Sequence, residues 1–216
     1  MLVKDVMQAP VTTATPDLSV PKVLRLLQGR GVRHVPVVEG DALVGIISDR
    51  DVKQAMVSAA ATAEGRARDE IVAHLTAGQI MTRPARSIGP DFAVEDAVKM
   101  MVSGRISAVP VTDAGRLVGI VTETDVLSLF ARALGVLEPS SRLDVVVREG
   151  MDEGLGGVVR AVEGAGARIS SVMTFGAGEG GRELVLRIGT IDPRPAVKAL
   201  TASGYQVKNG VRGRIG

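Results

Sequence analysis

The chain repeats itself. Shifting the sequence by 74 positions aligns residues 7–52 with residues 81–126 without a gap, and 14 of the 46 aligned pairs are identical. Among them are Met7/Met81, Pro16/Pro90, Asp17/Asp91, Val35/Val109, Pro36/Pro110, Gly45/Gly119 and Asp51/Asp125. A duplication restricts the fold more than any local signal, because both copies must satisfy one supersecondary pattern. In each copy an acid, Asp17 or Asp91, stands where a helix N-cap or first-turn carboxylate is expected. Apolar residues then recur at helical spacing: Val20, Val23, Leu24 and Leu27, matched by Val94, Ala97, Val98 and Met101. A short strand follows over 35–38 or 109–112, and its proline confines it to a sheet edge or a strand start. After a turn comes a fully apolar strand over 43–47 or 117–121, and a second helix is expected from Ser48 or Thr122. Neither copy alone can cover both faces of its sheet, so the two are expected to pack on each other. The Ala-rich stretch 55–78 reads as a helical connector broken at Gly65.

Composition removes several chemistries. The chain has no cysteine, which excludes disulfides, thiolate metal ligands and a cysteine nucleophile. Its only histidines, His34 and His74, are too few for a zinc site built on several imidazoles and too isolated for a triad. Three phenylalanines, one tyrosine and no tryptophan leave no stacking platform for single-stranded nucleic acid. The net charge of +2 is spread along the chain, which suits small anions better than a DNA backbone. No apolar run reaches membrane-helix length, and no basic leader precedes an apolar stretch at Met1, so a cytoplasmic protein with no membrane or nucleic-acid partner is expected.

The last third follows another pattern. The stretch 137–141 reads as a linker. A strand over 143–147 leads to a helix carrying Leu155, Val158, Val159 and Val162, ended by the small residues 164–167. Strands are expected at 168–175 and 183–189, joined by the glycine-rich loop 176–181. That loop lacks the Gly-Lys-Ser/Thr ending of a phosphate loop and reads as a hairpin. Pro193 and Pro195 open a second helix with Val197 and Leu200 inward, and 205–207 forms a last strand. The order βαββαβ is ferredoxin-like.

The chemistry-bearing motif is again repeated, as Ser48-x-x-Asp51 and Thr122-x-x-Asp125. One reading is a helix capping box, in which hydroxyl and carboxylate satisfy free backbone N–H groups. The other uses the same geometry for a ligand. A helix N-terminus with a hydroxyl suits phosphate, and a carboxylate one turn further can accept both hydroxyls of a ribose. Gly45 and Gly119 either let a ligand approach the strand or relieve packing. Met7, Met81, Met100 and Met101 read as core fillers.

With Val6-Met7, His34-Val35-Pro36-Val37-Val38, the run 43–51 and its partner ending Gly119-Ile120-Val121-Thr122-Glu123-Thr124-Asp125, the first 135 or so residues resemble a tandem CBS-domain pair, a Bateman module. The C-terminal part resembles an ACT domain, the ligand-binding regulatory module of amino-acid metabolism. The supporting turn is Asp152-Glu153-Gly154-Leu155, with Ala167-Arg168-Ile169-Ser170 after the helix; the Pro and Asn usual in that family are absent. The whole looks like the acetoin-utilisation-type CBS–ACT proteins. The expected fold is therefore α/β (α+β): a CBS repeat over 1–58, a connector over 59–76, a second repeat over 77–137 and an ACT-like domain over 142–210.

The resemblance implies two clefts for an adenosine-containing effector such as AMP, ADP or ATP. One would join Asp125, Thr122 and Ile120 to Val11, Thr12, Thr13, Val32, Arg33 and His34. The other would join Asp51, Ser48, Arg50 and Ile46 to Ala85, Arg86, Ser87, Ile106 and Ser107. Arg33 would face phosphate in the first cleft, and Arg50 or Arg86 in the second. Asp152, Gly154, Leu155 and Ile169 would form any ACT ligand turn. No catalytic or metal-binding residue is implied. The implied role is regulatory, in a homodimer or higher oligomer acting on a metabolic enzyme. A structural adaptor with empty clefts, a nucleotide-acting enzyme and a DNA-binding regulator are the alternatives.

Overall fold

The apolar spacing of the first repeat produces α1 (Val20–Arg30), which buries Val20, Val23 and Leu27. Strands β1 (His34–Glu39) and β2 (Ala42–Ser48) form an antiparallel hairpin, and α2 (Asp49–Thr62) follows directly. The connector is helical with a break before Gly65, where α3 (Gly65–His74) begins, and the single turn α4 (Ala77–Ile80) leads out of it. The second repeat gives α5 (Val94–Gly104), β3 (Ala108–Asp113), β4 (Arg116–Thr122) and α6 (Glu123–Ala133). The computed structural model describes residues 1–62, 64–148, 154–177 and 181–211.

The two hairpins share one sheet of order β1-β2-β4-β3, so the proline-bearing strands lie at its edges. They meet through little more than Ala42 opposite Arg116, with Leu117 N–H donating to the Asp41 carbonyl at 2.9 Å. The closer union is an exchange of leading segments. Val3, fully buried, sits in the core of the second repeat with Ala97, Met101, Val109, Val111 and Val121. Ala77, its counterpart, is fully buried in the core of the first with Val23, Val35 and Ile47. Each repeat therefore completes its apolar core with chain that precedes the other.

Two details depart from the sequence reading. Asp17 and Asp91 do not cap their helices; Ser19 and Ala93 hold the N-cap positions, without a side-chain bond. Asp91 instead pairs with Lys4 at 2.7 Å, and a hydrogen bond from Thr15 lowers the Asp17 pKa. Both acids lie in the turn ahead of the helix, so the first turn has no polar cap to replace.

The chain divides into two compact units, Met1–Leu127 and Ser128–Gly216, with the division inside α6. Residues after α6 are tied to the C-terminal unit by Ser171 Oγ on the Leu134 carbonyl at 3.0 Å and Ser140 Oγ on that of Gly135 at 3.2 Å. That unit runs β5 (Ser141–Val147), α7 (Gly154–Gly164), β6 (Ile169–Ala177), β7 (Gly181–Ile188), α8 (Arg194–Ala202) and β8 (Gln206–Val211). Its sheet order β6-β7-β5-β8, antiparallel throughout, is the interleaved ferredoxin-like arrangement. Leu143, Val145, Leu184, Leu186 and Ile188 point to one face and pack on Val158, Val162, Ala196 and Leu200 of the helices. Val197 is half-buried beside this core, while Leu155 is exposed.

Candidate functional site

The repeated hydroxyl–carboxylate motif folds as a complete capping box in both copies. Asp51 Oδ2 accepts from Ser48 N–H at 2.7 Å and Ser48 Oγ at 2.6 Å, while Asp51 N–H donates back to Ser48 Oγ at 3.3 Å. Asp125 makes the same three contacts with Thr122, at 2.8, 2.6 and 3.3 Å. The first N–H of each helix is also engaged: Asp49 N–H donates to the Arg33 carbonyl and Glu123 N–H to the Ser107 carbonyl, each at 3.0 Å. These bonds use the hydroxyl proton and the leading amides, so the helix N-terminus is not the free phosphate site that the motif suggests. What each box leaves is the second carboxylate oxygen, Oδ1.

Only at Asp51 is that oxygen unclaimed by a side chain among the described residues. Asp125 Oδ1 accepts a hydrogen bond from Gln8 Nε2 at 2.7 Å. The backbone placing Gln8 there is the antiparallel bridge between Gln8 and Ile120, closed at 2.8 and 3.1 Å. Thr82 bridges Ile46 in the same manner, at 2.9 and 3.1 Å, and brings a shorter side chain to the other cleft.

The glycines in the apolar strands serve this arrangement. A Cβ on Gly45 would overlap Met81 Sδ and lie 2.9 Å from its Cγ and 3.1 Å from the Thr82 carbonyl; one on Gly119 would overlap Met7 Sδ. They admit the methionine of the exchanged segment, which settles the choice in favour of packing. Met7, Met100 and Met101 join the second core and Met81 the first, as core fillers.

A cavity of about 290 Å³ opens on the Asp51 side, near the lower end of the ~300–1,000 Å³ usual for small-molecule sites. Ile46, Ser48, Arg50, Asp51, Ile106 and Ser107 line it, all grouped there by the sequence reading. Arg33 and His34, expected beside Asp125, line this cavity as well; Arg33 Nη2 also reaches Thr124 Oγ1 at 3.3 Å. Ala85, Arg86 and Ser87 are not among its lining residues. Ser87 borders a separate hollow with Ile88 and Phe92, and the Arg86 guanidinium lies over Gly104. Val11 and Thr13 border another cavity, of about 280 Å³, with Asp41 and Leu117. Thr12 lines neither.

Four lining residues escaped the sequence reading: Asp49, Thr82, Arg105 and Ala108. Arg105 is the C-cap of α5 at φ 51°, where the first repeat has Gly31 at φ 64°. The repeat alignment held that signal, since an arginine in place of a left-handed glycine is conformationally costly. Arg33, Arg50 and Arg105 give the cavity three guanidinium groups against the carboxylates of Asp49 and Asp51. His34 Nε2 lies 2.9 Å from Ser107 Oγ. Burial, then Arg33, lowers the His34 pKa, only partly offset by Asp49, Asp51 and Glu123. Burial thus favours the neutral imidazole, which hydrogen-bonds Ser107.

The turn ahead of α7 is partly visible: Asp152 lies outside the described residues. Gly154 begins the helix at φ 46° and its carbonyl accepts from the Tyr205 hydroxyl at 3.3 Å. Ile169 packs beside the C-terminal core. Among the described residues no cluster of three or more His, Asp or Glu could hold a metal, and no described helix is long and apolar enough to cross a membrane.

The CBS domain pattern matches residues 3–58 and 77–132, just over half of the chain. The CBS domain-containing protein YhcV of Bacillus subtilis is 32% identical over 123 residues, which is 57% of this chain and 81% of that one. The CBS domain pair of protein MJ0100, solved in complex with 5′-methylthioadenosine and S-adenosyl-L-methionine, superposes with a TM-score of 0.53 at 32% identity, covering 61% of this chain and 96% of that one. CBSX2, solved in complex with AMP, superposes at 0.51 and 26% identity, covering 60% and 95%.

Proposed function

This chain belongs to the CBS domain family, and from that premise we propose that it is a regulatory, non-catalytic ligand sensor whose Asp51 cleft takes an adenine nucleotide. The observation that carries the reading is the free Asp51 Oδ1 beside a cavity walled by Arg33, Arg50 and Arg105. A ribose can donate its hydroxyls to that carboxylate, a charge-assisted contact. Phosphate then meets guanidinium, the group whose planar fork suits it best. The ligands named for the MJ0100 pair and for CBSX2 all contain adenosine, which supports this class.

The C-terminal unit is read as ACT-like on its βαββαβ order and interleaved sheet, and as the module that passes on or adds a signal. Met56 and Val57 on α2, and Leu127 and Phe130 on α6, are exposed apolar residues that a second copy would cover, which supports a homodimer. The protein reports to a metabolic enzyme; a pathway such as acetoin utilisation rests on the sequence resemblance alone. The test is calorimetry with AMP, ADP and ATP against 5′-methylthioadenosine. The three arginines predict tighter binding of the phosphorylated ligands, by about tenfold or more for each charge-assisted hydrogen bond to phosphate. Tighter binding of methylthioadenosine would replace the nucleotide with an uncharged adenosine compound. No binding by any of them would favour the adaptor.

A further inference from the structure

We propose that Gln8 fills the ribose position of the Asp125 cleft, so that a chain with two equivalent aspartates binds one ribose-bearing ligand, at Asp51. This rests on the reading of the Asp51 cleft given above. The two aspartates have matching backbone settings: each is held by the same capping box, beside the same two-bond bridge, at positions 74 apart. In both, Oδ2 is consumed by the box and Oδ1 is the oxygen left to receive a hydroxyl.

The clefts part company at the bridge. Gln8 carries a primary amide far enough from the backbone to reach Asp125 Oδ1 at 2.7 Å. Its N–H then makes the contact a ribose hydroxyl would make, from a group already tethered, so a ligand must displace it. Thr82, bridged to Ile46 on the other side, has a side chain two bonds shorter and makes no such contact among the described residues. The differences around the aspartates point the same way. Arg105 and Arg50 on the Asp51 side correspond to Gly31 and Thr124 at the matching positions, so the cleft without the amide also has the cations.

The test exchanges the two bridge residues and counts AMP bound per chain by calorimetry. The parent should bind one equivalent. Gln8→Thr should bind two, and adding Asp125→Ala to that variant should return it to one. Thr82→Gln should weaken the parent site by about tenfold or more, since a tethered amide now competes for Asp51. Two equivalents in the parent, or one equivalent unchanged in Gln8→Thr, would overturn the role of Gln8 and leave the Asp51 reading standing. No AMP binding by parent or variants would overturn both. If Gln8→Thr does not fold, Thr82→Gln decides alone: unchanged AMP affinity in a folded variant overturns the proposal.

Discussion

The Asp51 and Asp125 clefts are one design read twice with different side chains. Bridge, capping box and methionine–glycine contact agree in both, and the methionine of that contact packs against the repeat's own core. Residues that no core requires have diverged: Thr82 against Gln8, Arg50 against Thr124, Arg105 against Gly31. Duplication thus preserves what packing demands and leaves the residues around each aspartate free to differ. In the same way a capping box is no evidence of a site, since both copies have it.

The comparison is hardest on the shared part. Gly45→Ala and Gly119→Ala should each destabilise the protein by about 1–3 kcal/mol, because the added methyl overpacks Met81 or Met7. Denaturant melts would measure it, and equal losses are expected if the two contacts are equivalent. A neutral result at one position would show that the exchanged segments are not held alike. Arg105→Gly should act in the other direction, raising stability by about 1 kcal/mol as a left-handed residue becomes glycine, while weakening binding of phosphorylated ligands. A loss of stability would mean that Arg105 is held by more than its cleft role.

The smallest effect concerns His34, which only the Asp51 cleft carries; Ala108 stands at its equivalent position. Its pKa is lowered in the folded protein, so the unfolded chain takes up the proton first. Its contribution to stability is complete above about pH 6.5, declines as pH falls below that value, and levels off below the lowered folded pKa. His34→Gln should flatten that slope in urea melts run across the range. An unchanged slope would assign the pH dependence to other groups.

Much of this was legible from residue spacing. The helices of 20–30 and 94–104 follow from apolar period, and the edge placement of β1 and β3 follows from Pro36 and Pro110. The βαββαβ order of the C-terminal unit follows from alternating periods and from Pro193 and Pro195 at α8. The two capping-box aspartates, Asp51 and Asp125, follow from a three-residue spacing. The exchange of Val3 and Ala77 was hidden, because a single buried residue pairing with a core far along the chain leaves no period. Gln8 and Thr82 carry no sequence signal for a related reason. They flank the repeated Met7 and Met81, and their meaning lies in a contact with a carboxylate distant in the chain. Arg33 and His34 line the Asp51 cavity, and Arg33 also meets Thr124 next to Asp125, a placement no residue spacing carries because it depends on how the two repeats face each other.

The most direct test compares the two aspartates with one ligand. AMP titrated into Asp51→Ala should bind about 10–150-fold more weakly than to the parent, the loss of one charge-assisted ribose contact. AMP titrated into Asp125→Ala should bind as it does to the parent, because Gln8 already holds that carboxylate. Equal losses in both variants, or a loss confined to Asp125→Ala, would contradict the account.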